Sequence, residues 1–228
     1  MKKILINILS IILIVISQSA CKEKVLKNEL VINTLDYKSR EGKAYKYELN
    51  IPQIESENSE DLAYFNITMK EEARYIIENL SLKENDGGIK EAMISYKTYE
   101  NNFSMLSISV LTSVYYGGAH PINKIEGYNF SLRDNTLVTF DKLFKEDGIE
   151  YFNMRINDIV SNKEKVLNTQ GDEVIFFNNT EADIRNSVVI FEGDYIKFIF
   201  QNYDLAPYSS GMPVFKFNKK EVKKYLNI

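Results

Sequence analysis

"EAMISYKTYENNFSMLSISVLTSVYYGGAHP" runs from Glu91 to Pro121, and its reading decides the fold. Up to Tyr116 it alternates like two strands, joined near Glu100-Asn101-Asn102. In the second strand Leu106, Ile108, Val110, Val114 and Tyr116 share one face. Ser107, Ser109, Ser113 and Tyr115 share the other, which their polarity predicts to be the wetter one. The strand then meets Gly117-Gly118 and His120-Pro121. Glycine tolerates positive φ, while Pro121 holds His120 in extended backbone and allows a cis bond. The strand therefore ends in a stiff corner that aims the only histidine of the chain in one direction.

Upstream, "YKYELNIPQI" (Tyr45–Ile54) alternates up to Pro52, which predicts a strand ending at an edge. Ser59 stands as a helix N-cap before Leu62, Phe65, Met69, Ala73, Ile76, Ile77 and Leu80, an apolar stripe at steps of three and four. "NDGG" (Asn85–Gly88) then reads as a turn. Downstream, Ile125 to Leu132 reads as a return strand and Leu137–Phe140 as a further short one. Tyr151, Phe152, Ile156, Ile159 and Val160 mark a second amphipathic helix. Glu164 to Arg185 lacks periodicity and reads as an irregular excursion. "SVVIFEGDYIKFIF" is a hairpin turning at Glu192-Gly193-Asp194. "VFKF" closes as a strand before a short helix, capped by Asn218, with Glu221 three residues on. No dinucleotide or phosphate-loop signature occurs. The fold class is α+β: an antiparallel sheet with two long amphipathic helices and a short C-terminal helix.

The N-terminus sets the expected address. Lys2-Lys3 precedes an apolar run from Ile4 to Ser17, too short for a confident membrane span and of the form of a secretory signal. Cys21 follows Ser19-Ala20 and is the only cysteine, so no intramolecular disulfide is possible. Its position is that of a lipid-attachment cysteine, although Gln18 stands where an aliphatic residue is common; simple signal cleavage near Ala20 is the alternative. Acyl chains on Cys21 would hold the chain at a bilayer. Lys22, rather than an aspartate, leans towards outer-membrane sorting in a Gram-negative cell. Loss of Lys2 and Lys3 with the signal takes the net charge from −4 to −6. Nucleic acid, which needs basic patches, is excluded as a partner, whereas a cationic protein partner is not.

His120 admits few chemistries. Zinc needs three or four Cys or His ligands, and here one histidine stands alone with a cysteine at the membrane end, so no metal and no cofactor are expected. A Ser–His–Asp arrangement can be assembled on paper from His120, one of Ser113, Ser209 or Ser210, and Asp204, yet no G-x-S-x-G elbow accompanies it. None of the 32 acidic residues is singled out as half of a glycosidase pair. We read His120 as a loop-pinning residue whose imidazole bonds "YDLAPYSSG" (Tyr203–Gly211), where Pro207 and Gly211 mark a second shaped turn. Tyr115, Tyr116, Tyr203 and Tyr208 gather at the two turns. Tyrosine offers an apolar face with a hydroxyl rim, so these rings either form a binding surface or plug the open end of the sheet.

Two stretches carry a family resemblance. "SVYYGGAHP" (Ser113–Pro121), with "YNFSL" and "DKLF" after it, is one; "FIFQNYDLAPYSSG" (Phe198–Gly211) followed by "VFKF" is the other. Together they resemble the extracytoplasmic domain shared by RsiV-type anti-sigma factors and many bacterial lipoproteins. "YKYELNIPQI" plus its helix resembles a small N-terminal module also found before some peptidoglycan deacetylase domains. The expected layout is a signal peptide over 1–20, a tether over 21–39, an N-terminal α+β module over 40–100 and an RsiV-type domain over 101–228. The resemblance implies an extracytoplasmic, non-catalytic binding module for a cell-envelope ligand, either a lysozyme-type muramidase or peptidoglycan glycan. No sigma-binding segment precedes the signal and no deacetylase domain follows, so neither activity is expected. An envelope hydrolase using His120 and a nearby serine is the alternative.

Overall fold

The computed structural model describes residues 30–39, 45–55, 59–82 and 89–228. The signal segment, Cys21 and the tether as far as Glu29, and the Asn85–Gly88 turn lie outside the described residues. In chain order the elements are β1 (Ile32–Lys38), β2 (Tyr45–Ile54), α1 (Glu60–Leu82), β3 (Lys90–Tyr99), β4 (Met105–Tyr115) and β5 (Ile122–Ser131). They continue with α2 (Phe140–Leu143), α3 (Glu146–Ser161), β6 (Leu167–Asn168), β7 (Val188–Glu192), β8 (Tyr195–Ile199), β9 (Pro213–Asn218) and α4 (Lys219–Val222). The α+β class holds. The strands form two sheets, ordered β1-β2-β3-β4-β5 and β6-β9-β8-β7. Every neighbouring pair is antiparallel except β2 and β3, which run parallel because α1 carries the chain back across the sheet.

The stripe on α1 does what its spacing dictates. Leu62, Phe65, Met69, Ala73, Ile76 and Leu80 are buried against Leu49, Ile51, Ile94, Ile108, Val110 and Phe130 of the first sheet. Ser59 accepts the Leu62 N–H at 3.3 Å and so caps the helix as read. Pro52 sits inside β2 and does not end it. Its missing N–H does no harm, because pairing with β3 stops at Leu49. Beyond that point Asn66 of α1 closes the free edge, accepting from Ile54 N–H and donating to Ile54 C=O, both at 2.8 Å. The second sheet packs on α3 through an aromatic cluster in which Phe152 lies 4.8 Å from Phe198 and 5.1 Å from Phe217, ring centre to ring centre. Phe152 is fully buried, a contribution of about 2–3 kcal/mol.

Other expectations are corrected as well. Ile32–Lys38, read as tether, is a strand paired with β2 along its whole length, Leu35 facing Ile51 and Tyr37 facing Leu49. Leu35 and Tyr37 pack on the α1 core, a two-residue alternation too short to register as a strand. The boundary at residue 100 falls inside a hairpin: β3 and β4 pair from Glu91↔Tyr115 to Tyr99↔Ser107, and β5 completes the same sheet. Leu137–Phe140 contributes only a single bridge, from Leu137 to Phe130, before α2 begins at Phe140.

The serine face of β4 is not the wet one. The second sheet lies against it, and Ser107 and Ser109 are buried. Ser107 Oγ donates to Asn129 Oδ1 at 2.6 Å and accepts the Phe191 N–H at 3.2 Å. Asn129 Nδ2 donates to the Val189 carbonyl at 2.9 Å. The edge of β7 thus finds its partners in side chains of the other sheet. Gly127, on the same face, allows the approach: a Cβ there would meet Val188 Cγ1 at 2.6 Å and the Val189 carbonyl oxygen at 3.0 Å. Asymmetric pairing of small polar residues makes a dry, fully bonded seam, the arrangement burial of hydroxyls requires.

Candidate functional site

One end of that same sheet face stays uncovered, and the two shaped turns meet over it. Gly117 and Gly118 have φ of 103° and 113°, in the region only glycine enters without strain, so the corner after β4 forms as its sequence dictates. Nothing lies within 4 Å of a Cβ built on Gly118, which means conformation and not space demands glycine there. The Tyr115 hydroxyl folds back and donates to the Gly118 carbonyl at 2.9 Å. The His120–Pro121 bond is trans, so the cis alternative does not apply.

His120 pins the second loop, as expected from its corner. Its ring stacks on Tyr208 with centres 3.7 Å apart and planes 16° from parallel. Nε2 lies 2.9 Å from the Tyr203 hydroxyl, and Nδ1 lies 2.9 Å from the Pro121 carbonyl. A carbonyl only accepts, so Nδ1 carries the proton and, in the neutral ring, Nε2 accepts from Tyr203. Tyr203 holds φ at +72°, a conformation rare for a large side chain, while remaining 55% exposed. Such strain persists only where surroundings over-determine it. Here they do: Tyr203 N–H donates to the Ala206 carbonyl at 3.1 Å, and Gln201 N–H donates to Asp204 Oδ2 at 2.9 Å. Partial burial lifts the Asp204 carboxyl above its usual value, against the lowering effect of that N–H.

Two further residues join the turns, and neither carries a local sign in its neighbouring residues. Gln201 accepts the Ile125 N–H at 3.1 Å and donates to the Ile125 carbonyl at 2.7 Å, adding a side chain to the ladder of β5. Asn123 donates to the Tyr208 hydroxyl at 2.8 Å. Pro207 and Gly211 bracket the short helical turn Tyr208–Ser210, and Gly211 takes φ of +70° close against Asn168. Tyr116 does not join this group. It packs on the α1 core, because consecutive strand residues face opposite ways, and burial there, helped by nearby Tyr75, raises its hydroxyl pKa.

The Ser–His–Asp arrangement is not formed. Both ring nitrogens of His120 are engaged by Pro121 and Tyr203. Ser210 turns inward and exchanges contacts with the backbone of Ile175, accepting its N–H at 3.3 Å. Among the described residues no group of three or more His, Cys, Asp or Glu side chains is placed to hold a metal.

Between the Gly-Gly corner and the ends of β1 and β2 lies an open groove of about 740 Å³. Tyr115, His120 and Pro121 form one wall over a floor of Ser113 and Met93, and Lys38, Lys46 and Glu48 line the side of β1 and β2, while Tyr47 and Ala92 turn to the α1 core. Its charges balance: Lys38 and Lys46 stand against Glu48 and Glu91, and Lys38 pairs with Glu48 at 3.9 Å.

Comparison with known proteins divides the chain in two. Residues 38–123 match the family model described as Deacetylase PdaC, and residues 141–220 match that of a protein of unknown function, DUF3298. The first region spans β2 to β4 with α1, and the second runs from α2 into α4. A DUF3298 family protein from Pseudomonas aeruginosa PAO1 is 15% identical, covering 88% of this chain and 95% of its own, with a TM-score of 0.61. A DUF3298 family member from Bacteroides fragilis NCTC 9343 is 14% identical over 88% of this chain and 94% of its own, with a TM-score of 0.54. At these identities the likeness is one of fold. No curated protein matches the chain. Among the described residues no helix is long and apolar enough to cross a membrane.

Proposed function

We propose that this chain is a non-catalytic extracytoplasmic lipoprotein, anchored to a bilayer through acylated Cys21, whose His120 groove binds a cell-envelope glycan of the peptidoglycan type. The observation that carries the reading is the groove itself. Tyr115 and His120 offer ring faces and polar rims, the combination a sugar's apolar face and hydroxyls match. Its size falls within the range of small-ligand sites, about 300–1,000 Å³. The strained but fully bonded Tyr203 and the stacked Tyr208 hold His120 in one orientation, so the wall is organised before any ligand arrives.

The balanced charge favours a glycan over a strongly cationic protein such as a lysozyme-type muramidase, which an acidic surface would suit better. The test is a sedimentation assay of the purified chain with insoluble peptidoglycan and, separately, with lysozyme. Retention on peptidoglycan that falls about tenfold in Tyr115→Ala is expected. Retention on lysozyme alone would reassign the groove to a muramidase. Retention on neither, or retention untouched by the substitution, would remove the glycan reading.

A further inference from the structure

A second cavity of about 450 Å³ lies between the two sheets, further along the same face and lined by none of the groove's residues. Its cations are in excess. Lys197 of β8 and Lys216 of β9 stand directly opposite each other in the strand register, and Lys97 of β3 closes from the other sheet. Like charges facing across a strand pair cost stability unless something answers them. Glu192 answers Lys197 and, at 3.4 Å, Lys97, and its own carboxyl is held below the usual range by those two ammonium groups against the effect of burial. Lys216 is exposed and forms no ion pair among the described residues. Two lysines thus share one carboxylate and the third stands without one, in a chain whose net charge is −4.

The rest of the cavity is neither greasy nor wholly polar. Leu111, Ile125 and Val214 make an aliphatic floor, and Thr169 and Gln170 supply hydroxyl and amide groups at the rim. A sugar ring carries the same mixture of apolar face and polar edge, and an alkyl chain does not.

We propose that this inter-sheet cleft binds a sugar bearing a carboxylate, with Lys216 as the cation that receives the acid group. The cleft and the His120 groove are separate, so each reading stands or falls without the other. The test is calorimetric titration of the purified chain with N-acetylmuramic acid and with N-acetylglucosamine, which differ only by the lactyl ether that carries the carboxylate. The acid binds, and the neutral sugar does not. Lys216→Gln, an exposed and fold-neutral change, weakens the acid about tenfold, as does added salt. Equal binding of both sugars, no binding of the acid, or an affinity indifferent to Lys216→Gln would overturn the assignment.

Discussion

Replacing Ser107 with alanine removes one oxygen and strands two buried groups. The hydroxyl donates to Asn129 Oδ1 at 2.6 Å and accepts the Phe191 N–H at 3.2 Å, and Ser107 itself is 0% exposed. Each orphaned group costs ~1–3 kcal/mol, so the pair together costs about 3 kcal/mol after some relaxation. With a urea dependence of about 2 kcal/mol per molar, the unfolding midpoint drops by roughly 1.5 M. The assay is urea unfolding followed by far-ultraviolet circular dichroism and tyrosine fluorescence. Ser113→Ala is the control, since Ser113 lies on the same face of β4 but at its uncovered end; its cost stays within about 0.5 kcal/mol. Asn129→Ala, combined with Ser107→Ala, costs less than the two changes summed, by ~1 kcal/mol or more, because both act on one network. A Ser107→Ala midpoint no lower than that of Ser113→Ala, or strict additivity with Asn129→Ala, refutes the view that this seam holds the sheets together.

Other perturbations probe separate parts of the account. Gly127→Val drives a side chain into Val188 and the Val189 carbonyl and costs about 1–3 kcal/mol, read by the same unfolding curves. Glu72 has its carboxyl lifted above the usual 4.5 by burial first and Glu126 second, against Thr112 and Lys124. The folded chain therefore binds the proton more tightly than the unfolded one, and stability due to Glu72 falls as pH rises from 4.5 through the lifted value. Glu72→Gln keeps an acceptor for Thr112, raises the melting temperature at pH 7 and flattens that dependence; an unchanged pH profile contradicts the burial argument. Tyr203→Phe deletes the hydroxyl that holds His120 and loosens the loop, costing ~1 kcal/mol and lowering amide-exchange protection at residues 201–206. Mass spectrometry of the chain from its native membrane finds acyl chains on Cys21, and Cys21→Ser releases it to the soluble fraction; a membrane-bound serine variant without acyl groups would contradict the anchor.

The sequence was readable wherever the decisive contacts are local. Seven apolar positions at helical spacing sufficed for α1, because one face of one helix carries the pattern. Glu192-Gly193-Asp194 sufficed for the β7–β8 hairpin, where Gly193 takes φ of +56°. The corner at Gly117-Gly118 also announced itself, and with it the direction of His120. What stayed hidden was which partner covers a face. Alternation placed Ser107 and Asn129 on one side of their strands, but nothing nearby in sequence says that β7 arrives there. Gln201 likewise looks like any polar loop residue, and only the fold carries it to the backbone of Ile125. Tyr116 parts from Tyr115 because backbone alternation turns it to the α1 core while its neighbour lines the groove.

The groove beside His120 is the centre of this account, and chemical-shift mapping tests it most directly. The ¹⁵N-labelled chain is titrated with a soluble peptidoglycan fragment. Progressive shifts are expected at Tyr47, Met93, Tyr115, Ala119 and His120, with their loss in Tyr115→Ala. Shifts confined to the outer face of α1, or no shifts at saturating fragment, would contradict it.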